Sequence, residues 1–499
     1  MTKNRQRQLT IVLISFGIFT SGLFLLSFLK PLMQDEGVFL KIASGLNDGL
    51  LPYRNYFDHK NPAIYYLFAA FLKISTSAVS LKIFLLIVNL GSIFLIAKIS
   101  STLDKKAFYP ALFLSLLTFT FFEGNFLITE PFGIFFLLLS LYFYLNDKSY
   151  SFHLQNCHPR PDRESRKIRD KSIGWIPNQV WNDRKNHPQY FSINNILIYA
   201  PFLSGLLACI AFLFKQTFIV NSAVLAFFYF KKDKRSFLDF SSGFLTPLLA
   251  LILYFAEINI LSPFFNQAYV LNFTAYPKEP FFYAVKKLSF TFLQTFPLWF
   301  LFILSFSKKI REENIFIFYA MFFAPVLLFL TRHYPHYWIQ VIPFAIITAA
   351  FAVTKIYDDK KIFNLFVVIT TISLLISSIW FFKDMNFNIK KLKEEKEAAT
   401  FLRNLPEKKM IAENKFVSFY FLSDKEPVNK YLYLTEITDS ESGEEKTIDY
   451  LKKNPDTIIV WTNNHNLAYA KKLQKYILKN YEIIKEFPEL GMVVYMPII

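Results

Sequence analysis

The chain has 499 residues, 53% of them hydrophobic and 19% aromatic, with a mean hydropathy of +0.30, which is more apolar surface than a water-soluble protein of this size needs. The net charge of +17 does not argue for nucleic acid, because the basic residues fall in short clusters between apolar runs, as the positive-inside rule expects. The two cysteines, Cys157 and Cys209, are far apart in the sequence and neither has a CxxC partner, so no disulfide framework or metal-thiolate site follows.

Taken in chain order, apolar runs long enough to cross a hydrocarbon core of ~30 Å recur through the first 382 residues. The first, 9–29, is uncharged, too long for a signal-peptide core and followed by no small-residue cleavage site, so it reads as an uncleaved span. Lys3, Arg5 and Arg7 place its N-terminus in the cytoplasm. Further spans are predicted at about 81–99, 107–122, 132–146, 195–213, 217–230, 237–260, 289–306, 315–331, 338–354 and 362–382. Eleven spans put every basic cluster on the cytoplasmic side and the C-terminus outside. Residues 62–74 are apolar but short, and read as an interfacial or re-entrant helix.

Two segments differ from the rest. Residues 151–190 are polar, rich in Pro, Arg and Asn, and without helical or strand periodicity; they look like the translated product of a mobile genomic repeat inserted in a cytoplasmic loop. From Lys383 onward the composition is that of a water-soluble domain, with helices predicted at 389–404, 444–453 and 466–480 and strands at 456–461, 481–487 and 491–496. The predicted organisation is therefore a membrane domain over 1–382 and a small extracytoplasmic α/β domain over 383–499. That second domain contains no cysteine, so its own core must hold it.

On this topology the polar residues at the outer helix ends form one set. The first outer loop holds Asp35 and Glu36, then Tyr53, Arg54, Asp58, His59 and Lys60; later outer turns hold Glu130, Lys215 and the run Arg332, His333, His336, Tyr337. Ionisable groups at the ends of membrane helices cost up to ~2.5–3.5 kcal/mol each at mid-depth, and persist where they pair or bind something. The acids suit a general base or a divalent cation, and the bases suit a phosphate. Bland readings stand beside these: Asp35 and Glu36 capping a loop helix, Lys60 and Arg332 snorkelling to head groups, Glu130 and Lys215 forming a structural ion pair, the histidines packing. The loop 261–288 adds Phe264, Phe265, Tyr269, Phe273 and Tyr276, whose rings suit a sugar or lipid equally.

The order of these residues is more specific than any one of them. The acidic pair after span one, the stretch GLLPYRNYFDHKNPAIYY, TEP before span four, KQ after span five and HYW before span ten form a series. It resembles the bacterial relatives of the protein O-mannosyltransferases and of the lipid A aminoarabinose transferases, membrane glycosyltransferases of the GT-C fold that use polyprenyl-phosphate sugars as donors. The resemblance covers spans one to ten, and the tail ENKFVSFYFLSDKEPVNKYLY is similar to the outer domain many of them carry. It implies that Asp35 takes the proton from the acceptor hydroxyl and that Glu36 orients the acceptor or a cation. Lys60, with Arg332 and Lys215, would hold the donor phosphate, and Glu130 would be a second acid facing the cavity. Tyr53, Asp58, His336 and Tyr337 would line the substrate site. Relatives acting on lipid A often carry an acid before the matched lysine, where this chain has His59, a departure that puts metal coordination there in doubt.

The predicted protein is thus a multi-pass enzyme of the cell (inner) membrane. It would move a sugar from a polyprenyl phosphate to a hydroxyl on an envelope glycan, lipid or protein, with inversion at the anomeric carbon. The residues fix no cofactor; a divalent cation at Glu130 and His59 is the one option they leave open, and no nucleic-acid partner is expected. The rival reading is a polytopic transporter or lipid flippase, which would carry charged or Gly/Pro-broken helices near mid-membrane and an internal repeat; no repeat between the halves is visible.

Overall fold

The computed structural model of the chain describes residues 17–147, 199–274, 281–307, 310, 315–329, 334–356, 359–434, 443–462 and 470–498. The insertion at 151–190 and Arg332 lie outside the described residues.

A backbone in hydrocarbon must satisfy its own N–H and C=O groups, so the apolar runs fold as helices. These are α1 (Gly17–Leu26), α2 (Gln34–Asn47), α3 (Ala63–Leu72), α4 (Ala78–Leu103), α5 (Phe108–Phe121) and α6 (Thr129–Asn146). After the insertion come α7 (Ala200–Phe214), α8 (Phe218–Lys232), α9 (Lys234–Glu257), α10 (Phe281–Gln294), α11 (Phe296–Leu304), α12 (Phe316–Phe329), α13 (Ile342–Ile356) and α14 (Lys360–Asn404). Among the described residues, α4, α6, α9 and α14 are long and apolar enough to cross a membrane, and the remaining apolar helices are shorter. Large apolar side chains stay exposed along stripes with steps of three and four residues: Val79, Ile83, Ile87, Leu90 and Phe94 on α4, and Leu365, Val368, Ile372, Leu375 and Ile379 on α14. Such stripes are uncovered by protein and fit lipid. The protein is a multi-pass membrane protein.

The structure departs from the predicted elements in three instructive places. The span expected over 289–306 is two helices, α10 and α11, separated at Thr295, because Pro297 in the first turn of α11 has no N–H to continue the ladder. The span expected over 338–354 opens as a 3₁₀ turn, Pro335–Gln340, before α13. The helix expected over 389–404 is the far end of the 45-residue α14, which runs without a break across residue 382 because no Gly or Pro interrupts it. At ~1.5 Å per residue α14 is roughly twice as long as the hydrocarbon is thick, and so carries the chain out of the bilayer into the C-terminal domain. The short apolar run at 62–74 is α3, whose ten residues span only ~15 Å.

Beyond α14 follow β1 (Lys409–Ala412), α15 (Ser418–Leu422), β2 (Glu426–Pro427), α16 (Gly443–Lys453), β3 (Ile458–Thr462), α17 (Lys471–Asn480), β4 (Tyr481–Phe487) and β5 (Met492–Pro497). The strands form one sheet in the order β2-β1-β3-β5-β4. β1 lies parallel to β2 and β3, while β5 is antiparallel to β3 and β4. The sequence predicts β3, β4 and β5 but misses β1 and β2, whose four and two residues are too few to show a period.

The sheet is not free-standing. Phe39, Phe57, Tyr65 and Phe68, from α2, α3 and the loop between them, share one apolar core with Met410, Phe416, Tyr433 and Val460 of the C-terminal domain. Buried Lys41 on α2 pairs with Glu426 of β2 at 2.7 Å, and the Phe57 N–H donates to the Lys430 carbonyl at 2.7 Å. α2 and α15 approach so closely that a Cβ on Gly37 would collide with the Ser418 backbone. The same device seats α7 on α9: a Cβ on Gly205 would strike the Phe240 carbonyl, and one on Gly243 the Phe202 carbonyl.

Gly37→Val should therefore lift the C-terminal domain off α2 and cost on the order of 2–3 kcal/mol or more. Limited proteolysis in detergent is expected to release the C-terminal domain faster from this variant. Gly22→Ala, at a position with open space around it, is expected to behave as wild type. Equal cleavage of both variants would contradict the close-approach account.

Candidate active site

Five segments distant in sequence bring their ends together: the start of α2, the loop 50–62, the start of α6, the residue after α7 and the 3₁₀ turn before α13. Asp35 is the second residue of α2, and its Oδ2 lies 3.3 Å from Lys60 Nζ. Both side chains are partly exposed, Asp35 to 30% and Lys60 to 13%. Glu130, in the first turn of α6, is ion-paired with Lys215, the C-cap of α7, and both are buried. Stacking of Phe214 on Phe132 and Phe136, at 5.7 Å each, keeps α6 and α7 in the register that this pair needs. The Lys215 ammonium also sits 3.6 Å from the centre of the Tyr337 ring, a cation–π contact made strong by burial. His336 completes the cluster, with Nδ1 2.6 Å from Glu123 Oε2 and Nε2 3.8 Å from Glu130 Oε1.

The field of this cluster acts on Asp35. Burial alone would raise its carboxyl, but Lys60, His336 and His59 together outweigh burial and the repulsion of Glu130, and hold Asp35 below the ordinary carboxylate value. Asp35 is therefore ionised at neutral pH, with a cation in contact.

The loop that carries Lys60 is held by side chains the sequence offered as substrate-lining. Tyr53 is 2% exposed and adopts a left-handed backbone with φ 63°, a strained state for a residue with a Cβ. Its hydroxyl donates to the Lys60 carbonyl at 2.8 Å, and its own carbonyl accepts from Gln267 Nε2 at 2.7 Å. Gln267 lies in a π turn, Asn266–Val270, and its Oε1 also accepts from the Asp58 N–H at 3.2 Å. Asp58 is 2% exposed and accepts from the Tyr65 hydroxyl at 2.7 Å, the His59 N–H at 2.6 Å and the Tyr433 hydroxyl at 3.1 Å; burial raises its carboxyl. Tyr53 and Asp58 thus lie beneath the site and set the position of Lys60. Phe264 packs against Tyr53 at 5.1 Å as part of the same support.

Glu36 points elsewhere. It is fully buried, one oxygen accepting from the Met33 N–H at 2.6 Å and the other from the Leu127 N–H at 2.8 Å. It caps α2 and ties it to the segment before α6, a placement that leaves neither oxygen facing Asp35's partners. His59 is near Asp35 and Lys60, with Nδ1 3.0 Å from the Tyr433 hydroxyl. His336 and Tyr337 do join the cluster. Among the described residues no three His, Cys, Asp or Glu side chains are placed to share a metal ion. Sequence reading missed Glu123, Gln267 and Tyr433: Glu123 is visible as a polar break after an apolar run, whereas nothing local marks the other two.

No family model matches the sequence, and no curated protein matches it. Solved structures of two kinds share its architecture. ArnT from Cupriavidus metallidurans, in a crystal structure bound to undecaprenyl phosphate, superposes with a TM-score of 0.62 at 11% identity over 98% of each chain. The chain has the GT-C fold. The Archaeoglobus fulgidus oligosaccharyltransferase, crystallised with a tethered acceptor peptide containing the NVT sequon, gives a TM-score of 0.50 at 12% identity over 98% of this chain and 74% of that one. Both likenesses include the helical membrane region and the small sheet domain, since nearly all of this chain is covered.

The Asp35–Lys60 contact has a pH signature. A carboxyl lowered in the folded state contributes stability above its unfolded pKa of about 3.9, and that contribution is lost as pH falls through the lower folded value. Lys60→Met removes the contribution. The gap in melting temperature between wild type and variant should be larger near about pH 6 than near about pH 3. A gap that is the same at both pH values would show that Lys60 does not hold Asp35 ionised.

Proposed function

We propose that the protein transfers a sugar from a polyprenyl-phosphate donor to a hydroxyl on an envelope glycan, lipid or protein, with inversion at the anomeric carbon. The observation that carries this reading is the partly exposed Asp35–Lys60 pair set over the buried Glu130–Lys215 pair, at one end of a GT-C bundle. The bond that forms joins the acceptor oxygen to the anomeric carbon, and the bond that breaks joins that carbon to the phosphate oxygen. The acceptor proton goes to Asp35, and the polyprenyl phosphate leaves with its charge on Lys60, backed by Lys215. Removal of the proton in the transition state is worth typically ~10²–10⁴-fold.

The ground-state geometry supplies a reason for donor-first chemistry. While Lys60 is bound to Asp35 the carboxylate is a weak base, because its charged form is stabilised. A donor phosphate that draws Lys60 away removes that stabilisation and adds a negative charge nearby. Both changes raise the Asp35 carboxyl, so the base strengthens once the donor is in place.

The residues around His59 do not fit a divalent cation: the adjoining Asp58 already accepts three hydrogen bonds, Asp35 is paired with Lys60, and Glu130 is paired with Lys215. Domain limits of 1–382 and 383–499, an inner-membrane location, a cytoplasmic N-terminus and a site on the outer side complete the reading; the spacing of the basic clusters supports the orientation.

The test is transfer of label from radiolabelled undecaprenyl-phosphate sugars, offered as a panel, to extracted envelope lipids and glycans by purified protein. Wild type is expected to move label, and Asp35→Asn to lose at least about a hundredfold while still inserting and remaining folded at the assay temperature. Equal transfer by both proteins would remove Asp35 as the base; transfer by neither, across the panel, would contradict the transferase reading.

A further inference from the structure

The end of the bundle opposite the candidate site carries charge of a different kind. α13 leads away from the turn that bears His336, and its 15 residues rise ~22 Å before the chain turns into α14. Where α11 and α13 end and α14 begins there is a cavity of about 680 Å³. Apolar Leu304, Ile310 and Ile356 line it together with three lysines, Lys355, Lys360 and Lys361. Asp359 also borders it, but its Oδ1 accepts from the Lys361 N–H at 3.1 Å and the Ile362 N–H at 3.3 Å, so that this carboxylate caps α14. Lys360 and Lys361 are exposed, and neither ammonium pairs with a carboxylate among the described residues. Lys232, at the same end of the bundle, is by contrast closed against Asp147. Below Lys361 the same face of α14 is apolar and uncovered, with Leu365, Val368 and Ile372 exposed at helical spacing. Snorkelling to the head-group layer accounts for lysines at a helix end. A cavity between three helix ends, its bordering acid committed to its own helix, adds a volume in which an anion can sit.

We propose that this cavity binds the phosphate headgroup of an anionic phospholipid, held by Lys360 and Lys361 with Lys355 beside them, the acyl chains lying along the Leu365–Val368–Ile372 stripe. The ammonium groups donate to the phosphate oxygens, and the apolar wall receives the glycerol end of the chains. A zwitterionic headgroup is selected against, because it brings its own cation to a site that is already cationic. On the proposed orientation the lipid belongs to the cytoplasmic leaflet, on the far side of the membrane from Asp35. It joins the ends of α11, α13 and α14, and so braces the helices between which the cavity lies. The inference does not depend on the transferase reading.

The test is lipid titration of the full-length protein in detergent, stripped of co-purified lipid and followed by melting temperature and native mass spectrometry. Phosphatidylglycerol is expected to raise the melting temperature of wild type saturably and to stay bound in the mass spectrum, and phosphatidylcholine with the same chains to do neither. The double substitution Lys360→Gln, Lys361→Gln should raise the half-saturating concentration of phosphatidylglycerol roughly 10- to 30-fold. Both positions are exposed, so the unliganded variant is expected to melt as wild type does. Lys360→Arg with Lys361→Arg keeps the charge and should respond like wild type. Lys105→Gln with Lys106→Gln, an exposed pair that does not line the cavity, should also respond like wild type. An unchanged response in the Lys360, Lys361 glutamine variant, an equal loss in the Lys105, Lys106 variant, or equal stabilisation by phosphatidylcholine would each overturn the inference. A matching shift from inorganic phosphate alone would assign the cavity to free phosphate and overturn it as well.

Discussion

A charge removed from water must find a partner, and the outer end of this bundle is organised around that requirement. Glu130 and Lys215 are both buried, and truncating either would strand the other at a cost of ~3–5 kcal/mol. Their pairing requires the start of α6 and the end of α7 to coincide. The Phe132–Phe214–Phe136 stack fixes that coincidence. Tyr337 and His336 then arrive on a turn that Pro335 opens and that ends just before α13. Above this satisfied layer, Asp35 and Lys60 stay within reach of solvent and are free to exchange partners. A buried pair that cannot move lies beneath a partly exposed pair that can, and the proposed chemistry needs that division.

The C-terminal domain belongs to the same construction. Its sheet buries apolar side chains against α2 and α3, and besides the Lys41–Glu426 pair on α2 its polar contacts reach the loop that bears Lys60: Lys430 on Phe57, Tyr433 on Asp58 and His59. Helix α14 supplies the rigid link, rising out of the bundle and placing Glu395, whose Oε1 accepts from the Leu32 N–H at 3.0 Å just before α2. The segment from Leu32 to Lys60 is therefore clamped between the membrane helices and the sheet. The left-handed Tyr53 backbone is tolerated because Gln267, Phe264 and the Lys60 carbonyl over-determine it.

Much of this was legible in the sequence, for identifiable reasons. Long apolar runs report membrane helices regardless of tertiary context, and helix ends fall within a few residues of the expected positions except where Pro297 splits one span and where α14 runs on past residue 382. Asp35, Lys60, Glu130, Lys215 and His336 stand out as ionisable residues bordering apolar sequence, and the fold gathers them. The bland reading of Glu130 and Lys215 as an ion pair describes their geometry, and that of Glu36 as a cap describes its hydrogen bonds. What sequence could not show were contacts made by ordinary residues at long range. Gln267 depends on a π turn with no compositional mark, Tyr433 lies 375 positions from the aspartate it bonds, and β1 and β2 are too short to carry a pattern.

The central claim is that Lys60 gives up Asp35 for a lipid phosphate while the Glu130–Lys215 pair stays in place. A structure of the purified protein with undecaprenyl phosphate tests it directly. The account predicts phosphate density in contact with Lys60 Nζ, a lengthened Lys60–Asp35 separation and an undisturbed Glu130–Lys215 pair. Phosphate density away from this cluster, with Asp35 and Lys60 still 3.3 Å apart, would contradict it.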